Sequence, residues 1–422
     1  MALIKKPVTG MKDITPYEMQ IRDYVTTLVK DTYETFGFVP IETPAVEHIE
    51  NLLSKQGGDN EKLIFKILKR GEKLVLDGDP AEEDLVDSGL RYDLTVPLSR
   101  YYACHSAELP SPFKALQIGP VWRADRPQKG RFRQFVQCDI DLLGDATTLA
   151  ECELITATTT LLGKLGFSDF TVRINDRRIL RAMATYSGFS EEDCDRVFII
   201  LDKMDKAGID GVREELLSSG FDSGCVETYL ELFTDNGNSV SYIESLAQKL
   251  SGHLEEGCAG GLTGIIRSVE RIKSADFNIV FDPTLVRGMS YYTGTIFEIT
   301  MNGFGSSVAG GGRYDEMIGK FSGNHVCACG FSIGFERIIT ILMDNDFKVP
   351  GSKEKYAFLI EKGADPDFTA SVMEEAARKR AEGACVIVSM MNKNKKFQKE
   401  QLEKEGITSD NIKEFYHSDF RN

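Results

Sequence analysis

A chain of 422 residues with a 42% hydrophobic share is long enough for a large core domain plus at least one smaller module. Its formal charge of −15 excludes nucleic-acid binding by global attraction, so any such partner must be met by a local basic patch. No apolar run is long enough to span a membrane and none follows the basic pair Lys5-Lys6; nine scattered cysteines and five histidines lack metal-site spacing, so a soluble cytoplasmic protein with reduced thiols and no metal held by His or Cys is expected.

Thr15 and Pro16 suit a helix start, and Ile21, Tyr24, Val25, Leu28, Val29 and Tyr33 follow at helical spacing until Gly37. Phe38–Pro44 reads as a short extended segment broken by prolines. Between Asn51 and Val86, strand-like runs at Leu63–Leu68 and Lys73–Leu76 predict a surface hairpin. Ala115–Trp122 and Phe132–Leu143 predict an antiparallel strand pair joined by a charged loop. Leu149–Leu165 reads as an amphipathic helix and Phe170–Ile174 as a strand. From Ile179 to Lys273 the pattern is helical. Strand character returns at Phe277–Phe281 and Tyr291–Thr300, Ser306–Gly312 is glycine-rich, and Phe331–Leu342 reads as a helix. After a charged linker comes β–α–β–α: Tyr356–Ile360, Phe368–Ala381, Ala384–Met390 and Lys395–Lys404.

Three blocks carry charge where burial would be costly. In the first, Val121–Phe135, an apolar strand ends in Arg123 and runs into a loop with Arg126, Lys129, Arg131 and Arg133 against Asp125 alone, five cations against one acid. Arginines here suit a polyphosphate, because the guanidinium delivers forked hydrogen bonds to phosphate oxygens. The second, Leu285–Gly294, sets Arg287, Tyr291 and Tyr292 beside glycines that allow close backbone approach. The third joins Ala309–Asp315 to Gly330–Arg337. Its Gly310, Gly311 and Gly312 could floor a nucleotide pocket and Arg337 could cover the base or the phosphate. Each block alone has an ordinary alternative, a solvated strand end or a glycine turn.

Their order, an arginine-loop hairpin, a long gap and a glycine-flanked arginine helix, resembles the motif set of class II aminoacyl-tRNA synthetases. Gly10–Pro16, Leu90–Pro97, Arg126–Gln134, Val172–Leu180 and Val286–Gly294 resemble histidyl-tRNA synthetases more closely, over roughly residues 7 to 345. The resemblance implies an α+β fold: a class II catalytic core with an antiparallel sheet flanked by helices. It divides the core into residues 1–175 (motifs 1 and 2) and 274–345 (motif 3), separated by a helical insertion at 176–273, with a shortened anticodon-binding-like α/β domain at 353–422.

It also implies roles. Asp93, Thr95 and Gln137 would hold the ammonium of histidine, and Asp141 and Tyr292, with Tyr291 alongside, its imidazole. Two polar groups facing the two ring nitrogens fix orientation and tautomer. ATP, with Mg2+, would lie on Arg123, Asp125, Arg131, Arg337 and the glycines 310–312. Arg123 and Arg287 would be catalytic at the α-phosphate, where charge builds as the carboxylate attacks. Arg126, Gln128 and Lys129 would meet the acceptor end of tRNA(His). A homodimer joined around Gly37–Glu47, with Thr43-Pro44 as the interface motif, is implied too.

Two departures stand out. Ser290 occupies a position where the family usually has Asp, and the C-terminal domain is short, which places anticodon recognition in question. The shortening admits an alternative: a non-catalytic relative serving as a regulatory subunit of ATP phosphoribosyltransferase in histidine biosynthesis. A histidine sensor has no use for the basic loop Arg126–Arg131, whose presence favours the enzyme.

Overall fold

The computed structural model describes residues 3–53, 62–74, 78–126, 131–233, 239–286, 291–302, 307–351 and 353–420. The chain forms two compact units: Met1–Ile14 with Arg22–Asn345, and Thr15–Ile21 with Asp346–Asn422. Among the described residues, no helix is long and apolar enough to cross a membrane.

The first unit is built on strands that alternate buried and exposed positions. In chain order its elements are the part of α1 (Pro16–Glu34) from Arg22 onward, β1 (Val39–Pro40), β2 (Val46–His48), α2 (Ile49–Leu53), β3 (Lys66–Leu68), α3 (Glu82–Leu85), β4 (Val86–Leu90), α4 (Thr95–His105), β5 (Phe113–Trp122), β6 (Gln134–Leu143), α5 (Leu149–Lys164) and β7 (Phe170–Asp176). Helices follow without an intervening strand: α6 (Arg177–Tyr186), α7 (Cys194–Leu201), α8 (Met204–Ser218), α9 (Ser223–Glu231), α10 (Ser239–Lys249) and α11 (Cys258–Ile272). The unit closes with β8 (Phe277–Phe281), β9 (Thr295–Met301), β10 (Ser307–Arg313), α12 (Gly319–Ser322), β11 (Ala328–Ile333) and α13 (Phe335–Asp344).

In α1, Ile21, Val25, Val29 and Tyr33 are fully buried at four-residue spacing, so one face of the helix packs inward. Gly37, at φ +79, turns the chain after it, a conformation a side chain would strain.

Eight strands form one sheet in the order β1-β5-β6-β11-β10-β9-β7-β8. The six inner strands pair antiparallel, while β1 joins β5, and β8 joins β7, in parallel. The longest ladder is β5 with β6, running from Phe113 opposite Leu143 to Trp122 opposite Gln134. A smaller sheet has the order β2-β4-β3.

The structure sharpens the sequence reading at three places. Of the run Lys73–Leu76 expected to pair with Leu63–Leu68, residues 75 and 76 lie outside the described residues. Gly71–Lys73 is a 3₁₀ turn, and β3 pairs with β4. The three glycines 310–312 do not make a turn but lie within β10, between β9 and β11. Bare backbone is needed there, because a Cβ at Gly311 would collide with the backbone of Gly330 and Phe331. Finally, Phe331–Ile333 is strand, not helix. It pairs with both β6 and β10, and the helix starts only after Gly334.

The second unit continues with β12 (Lys355–Ile360), α14 (Pro366–Ala381), β13 (Cys385–Met390), α15 (Lys395–Lys404) and β14 (Ile412–Phe415). Its three strands are parallel, in the order β13-β12-β14. Successive residues of β12 feed opposite cores, as the period of a strand dictates. Phe358 and Ile360 pack with Phe368 and Val372 of α14, while Ala357 and Leu359 pack with Leu402 of α15 and Ile407.

Candidate active site

Strand β6 supplies the chemistry. Gln137, Asp139 and Asp141 alternate along it, so all three project from one face of the sheet. They line a cavity of about 310 Å3 together with Asp93, Thr95, Arg123, Asp125, Arg131, Tyr291, Tyr292, Gly310, Gly311, Gly312, Tyr314, Ser332, Glu336 and Arg337. Nearly every residue singled out in the sequence that the structure describes is therefore brought to one place. Arg126 is exposed and is not among the lining residues. Arg287, Gln128, Lys129 and Ser290 lie outside the described residues.

The acids are deeply buried: Asp93 is 2% exposed, Asp139 4% and Asp141 3%. Asp93 accepts the Val96 backbone N–H at 3.0 Å through Oδ1, in the first turn of α4. Asp141 Oδ1 accepts the Tyr314 hydroxyl at 2.6 Å. Asp139 accepts from the Ser332 hydroxyl and from Gln137 Nε2, 3.2 Å from its Oδ2. Three buried acceptors at the site have no hydrogen-bond partner among the described residues: Asp93 Oδ2, Gln137 Oε1 and Asp141 Oδ2. A buried acceptor left bare costs free energy, so a row of them asks for a ligand rich in N–H donors.

Burial and mutual repulsion shift these groups. Desolvation, reinforced by Asp93, pushes Asp141 up to about 7 against the opposing hydrogen bond from Tyr314. Burial, then the neighbouring Asp141, raises Asp139 well above the usual carboxylate range. Burial also raises Asp93, opposed by the Val96 N–H and by Arg123. Carboxyls held in this way gain from a cationic ligand, which stabilises their charged form.

The cationic side of the cavity is braced separately. Arg123 donates from its backbone N–H to Arg133 O at 2.8 Å and from Nε to Tyr92 O at 2.8 Å, and its guanidinium lies over the Phe135 ring at 5.2 Å. Asp125 accepts from Arg131 Nε at 3.1 Å, and its backbone carbonyl accepts from Arg133 Nε. Arg337, at the start of α13, donates to the Ser307 carbonyl. Beside it, Glu336 takes two hydrogen bonds from Arg22 of α1, at 2.7 and 2.8 Å, and one from the Val136 N–H at 3.2 Å.

The aromatic wall is continuous: the rings of Tyr291 and Tyr292 lie 4.9 Å apart, and Tyr291 meets Tyr314 edge-on at 6.0 Å. Gly330 faces Asp141 in register, and a Cβ there would occupy the space of its carboxylate.

A profile described as histidyl-tRNA synthetase matches residues 10–338. The chain belongs to that family. It is 46% identical over 346 residues to the histidine–tRNA ligase of Leifsonia xyli, covering 80% of each chain. It is 39% identical over 414 residues to a probable histidine–tRNA ligase of Tropheryma whipplei, covering 95% of this chain and 94% of the relative. The crystal structure of histidyl-tRNA synthetase from a Nostoc species superposes with a TM-score of 0.77 at 26% identity, over 96% of this chain and 90% of that one. A Bacillus halodurans structure titled as an ATP phosphoribosyltransferase regulatory subunit/histidyl-tRNA synthetase superposes at 0.76 with 22% identity, over 98% of each chain, a likeness of fold. The α+β core with its large, mainly antiparallel sheet is thus that of a class II histidyl-tRNA synthetase.

Sequence reading missed Asp139, Tyr314, Ser332 and Glu336 as parts of this synthetase site. Asp139 carried a signal, its period-two spacing between Gln137 and Asp141. The other three reach the cavity by pairing across the sheet or by packing of α13, which spacing does not reveal.

Two further side-chain clusters occur elsewhere in the protein. Asp315, His325 and Cys327 bring potential ligand atoms within 4.8 Å of one another. Asp315 Oδ1 is already engaged by the Ala328 N–H at 2.8 Å and faces the Arg313 guanidinium at 3.4 Å, which opposes a cation. In the second unit, the lysines near α15 are partly neutralised: Lys399 and Lys395 lie 2.7 and 3.6 Å from Glu414, whose carboxyl is held down to about 2, chiefly by its hydrogen bond with Lys399.

Proposed function

We infer that the chain activates L-histidine with ATP to give histidyl-adenylate and pyrophosphate, and transfers the histidyl group to tRNA(His). The observation that carries this reading is the set of three buried acceptors, Asp93 Oδ2, Gln137 Oε1 and Asp141 Oδ2, unpartnered among the described residues, at a cavity that Arg123 and Arg337 also line. Histidine offers an ammonium and an imidazole N–H to the acceptors and a carboxylate to the arginine side. Asp93, Thr95 and Gln137 take the ammonium. Asp141 and Tyr292, with Tyr291 beside them, take the imidazole.

ATP, with Mg2+ on its phosphates, occupies the region of Arg123, Asp125, Arg131, Arg337 and the bare backbone of Gly310–Gly312. The histidine carboxylate attacks the α-phosphorus, the bond to the β,γ-pyrophosphate breaks, and Arg123 and Arg287 stabilise the charge that develops on the α-phosphoryl oxygens. The terminal ribose hydroxyl of the tRNA then displaces AMP from the adenylate. Arg126, Gln128 and Lys129 contact the acceptor end. The active form is a homodimer joined around Gly37–Glu47. In support, β1 there is an exposed edge strand, with Val39 47% exposed. Cytoplasmic translation is where this activity belongs.

The test is histidine-dependent ATP–pyrophosphate exchange, followed by charging of purified tRNA(His), with both expected from wild type. Histidine binding without exchange would instead favour a regulatory subunit of ATP phosphoribosyltransferase.

A further inference from the structure

We propose that Asp139 is a positioning residue that sets which end of the Gln137 amide faces the substrate. The proposal rests on the assignment of this cavity to histidine. In register, β6 and β11 place Asp139 directly opposite Ser332. The Ser332 hydroxyl donates to Asp139 Oδ1, and Gln137 Nε2 lies 3.2 and 3.5 Å from the two carboxylate oxygens and 3.4 Å from Ser332 Oγ. All of the hydrogen bonds described at the Asp139 carboxyl are donated to it, the pattern an acceptor-only carboxylate calls for. The amide nitrogen is thereby engaged, and Gln137 Oε1 is the atom left buried without a partner among the described residues.

An amide can turn over with almost no change in shape, since its oxygen and nitrogen are nearly the same size. With Asp139 charged, the form a bound ammonium favours, a turned Gln137 would press its oxygen against a buried carboxylate and point its NH2 at the ammonium, donor against donor. The charged Asp139 disfavours that state. Its consequence is selectivity: the pocket presents an acceptor to the α-nitrogen of the substrate, so an amino acid is taken over an analogue carrying a hydroxyl there. Removing the carboxylate frees the amide to offer its NH2 to that hydroxyl, and the discrimination fades.

The experiment measures dissociation constants for L-histidine and for its α-hydroxy analogue, imidazole lactate, by calorimetry. Wild type, Asp139→Asn, Gln137→Ala and the double variant are compared. Asp139→Asn is expected to lower the histidine-to-analogue preference roughly tenfold in the wild-type background, and to have no further effect where Gln137 is already alanine. Equal losses in both backgrounds would overturn the proposal, because Asp139 would then act on the ammonium directly through its charge. Ser332→Ala keeps the carboxylate but removes one of its anchors. It should reduce the preference in the same direction by a smaller factor, and an unchanged preference there would also count against the positioning role. It serves alone if Asp139→Asn does not fold. Failure of wild type to bind histidine at all would overturn the histidine assignment itself, an outcome distinct from binding with unaltered coupling.

Discussion

Two groups of buried charges sit at opposite ends of the chemistry in the first unit. At the end of β10, Arg313 is 8% exposed and Glu151 of α5 is 1% exposed. Their pairing is complete: Arg313 Nε and Nη2 each reach a Glu151 oxygen at 2.8 Å, and further guanidinium N–H groups donate to the carbonyls of Asp145 and Thr147. Along β6, Asp139 and Asp141 are as deeply buried, yet with Asp93 they form a cluster of acids in which two bare oxygens remain. Burial alone therefore does not separate structural from functional charge. What separates them is whether the hydrogen-bonding capacity is exhausted within the protein.

The contrast can be broken at either group. Glu151→Ala strands the Arg313 guanidinium in the interior, and a loss of about 3–5 kcal/mol is expected, read as a shift of the urea midpoint. Little or no loss would mean that the pair does not brace the sheet. A smaller effect, about 1–3 kcal/mol, is expected for Gly330→Ala, whose methyl would contest the space of the Asp141 carboxylate. It should also weaken histidine binding; stability lost with affinity intact would show that the carboxylate does not define the pocket.

Asp141→Asn should lower histidine affinity roughly tenfold while leaving neutral-pH stability equal or higher, since it removes a buried charge that the free protein leaves half-satisfied. Calorimetry with L-histidine and a thermal melt on one preparation decide this, and a destabilised variant with normal affinity would place Asp141 among the structural charges.

The same residue sharpens the comparison through pH. The folded protein holds the Asp141 proton up to about 7, against 3.8 for an ordinary Asp. Its contribution to stability is therefore complete below about pH 4 and declines as pH rises towards 7. The melting temperature of Asp141→Asn relative to wild type should climb across that interval and level off above it; a flat difference would remove the shift. The smallest effect is expected at the surface. Breaking the Arg267–Glu244 pair, with both side chains more than half exposed, should leave the melting temperature unchanged within error.

The sequence made the β5–β6 ladder legible because apolar runs flank a charged loop. It made Gln137 and Asp141 legible because the motif around them is specific. It misread Phe331–Ile333 because Gly-Phe-Ser-Ile-Gly-Phe carries apolar residues at positions that fit either period, and only pairing to β6 and β10 decides between them. Tyr314 and Ser332 were beyond reach for a related reason: their partners Asp141 and Asp139 lie 173 and 193 residues away. The helical stretch around α6–α11 was legible as helix, but its periodicity carries no chemistry from which a role could be read.

The strict alternation along β6 also governs how this protein can change by insertion and deletion. Gln137, Asp139 and Asp141 share a face only while the count of residues between them stays even. One residue added inside the strand would turn part of this set to the far side of the sheet and bring Cys138 or Ile140 to the pocket face. Between Gln137 and Asp141, β6 therefore admits only substitutions, or paired changes that keep its count even.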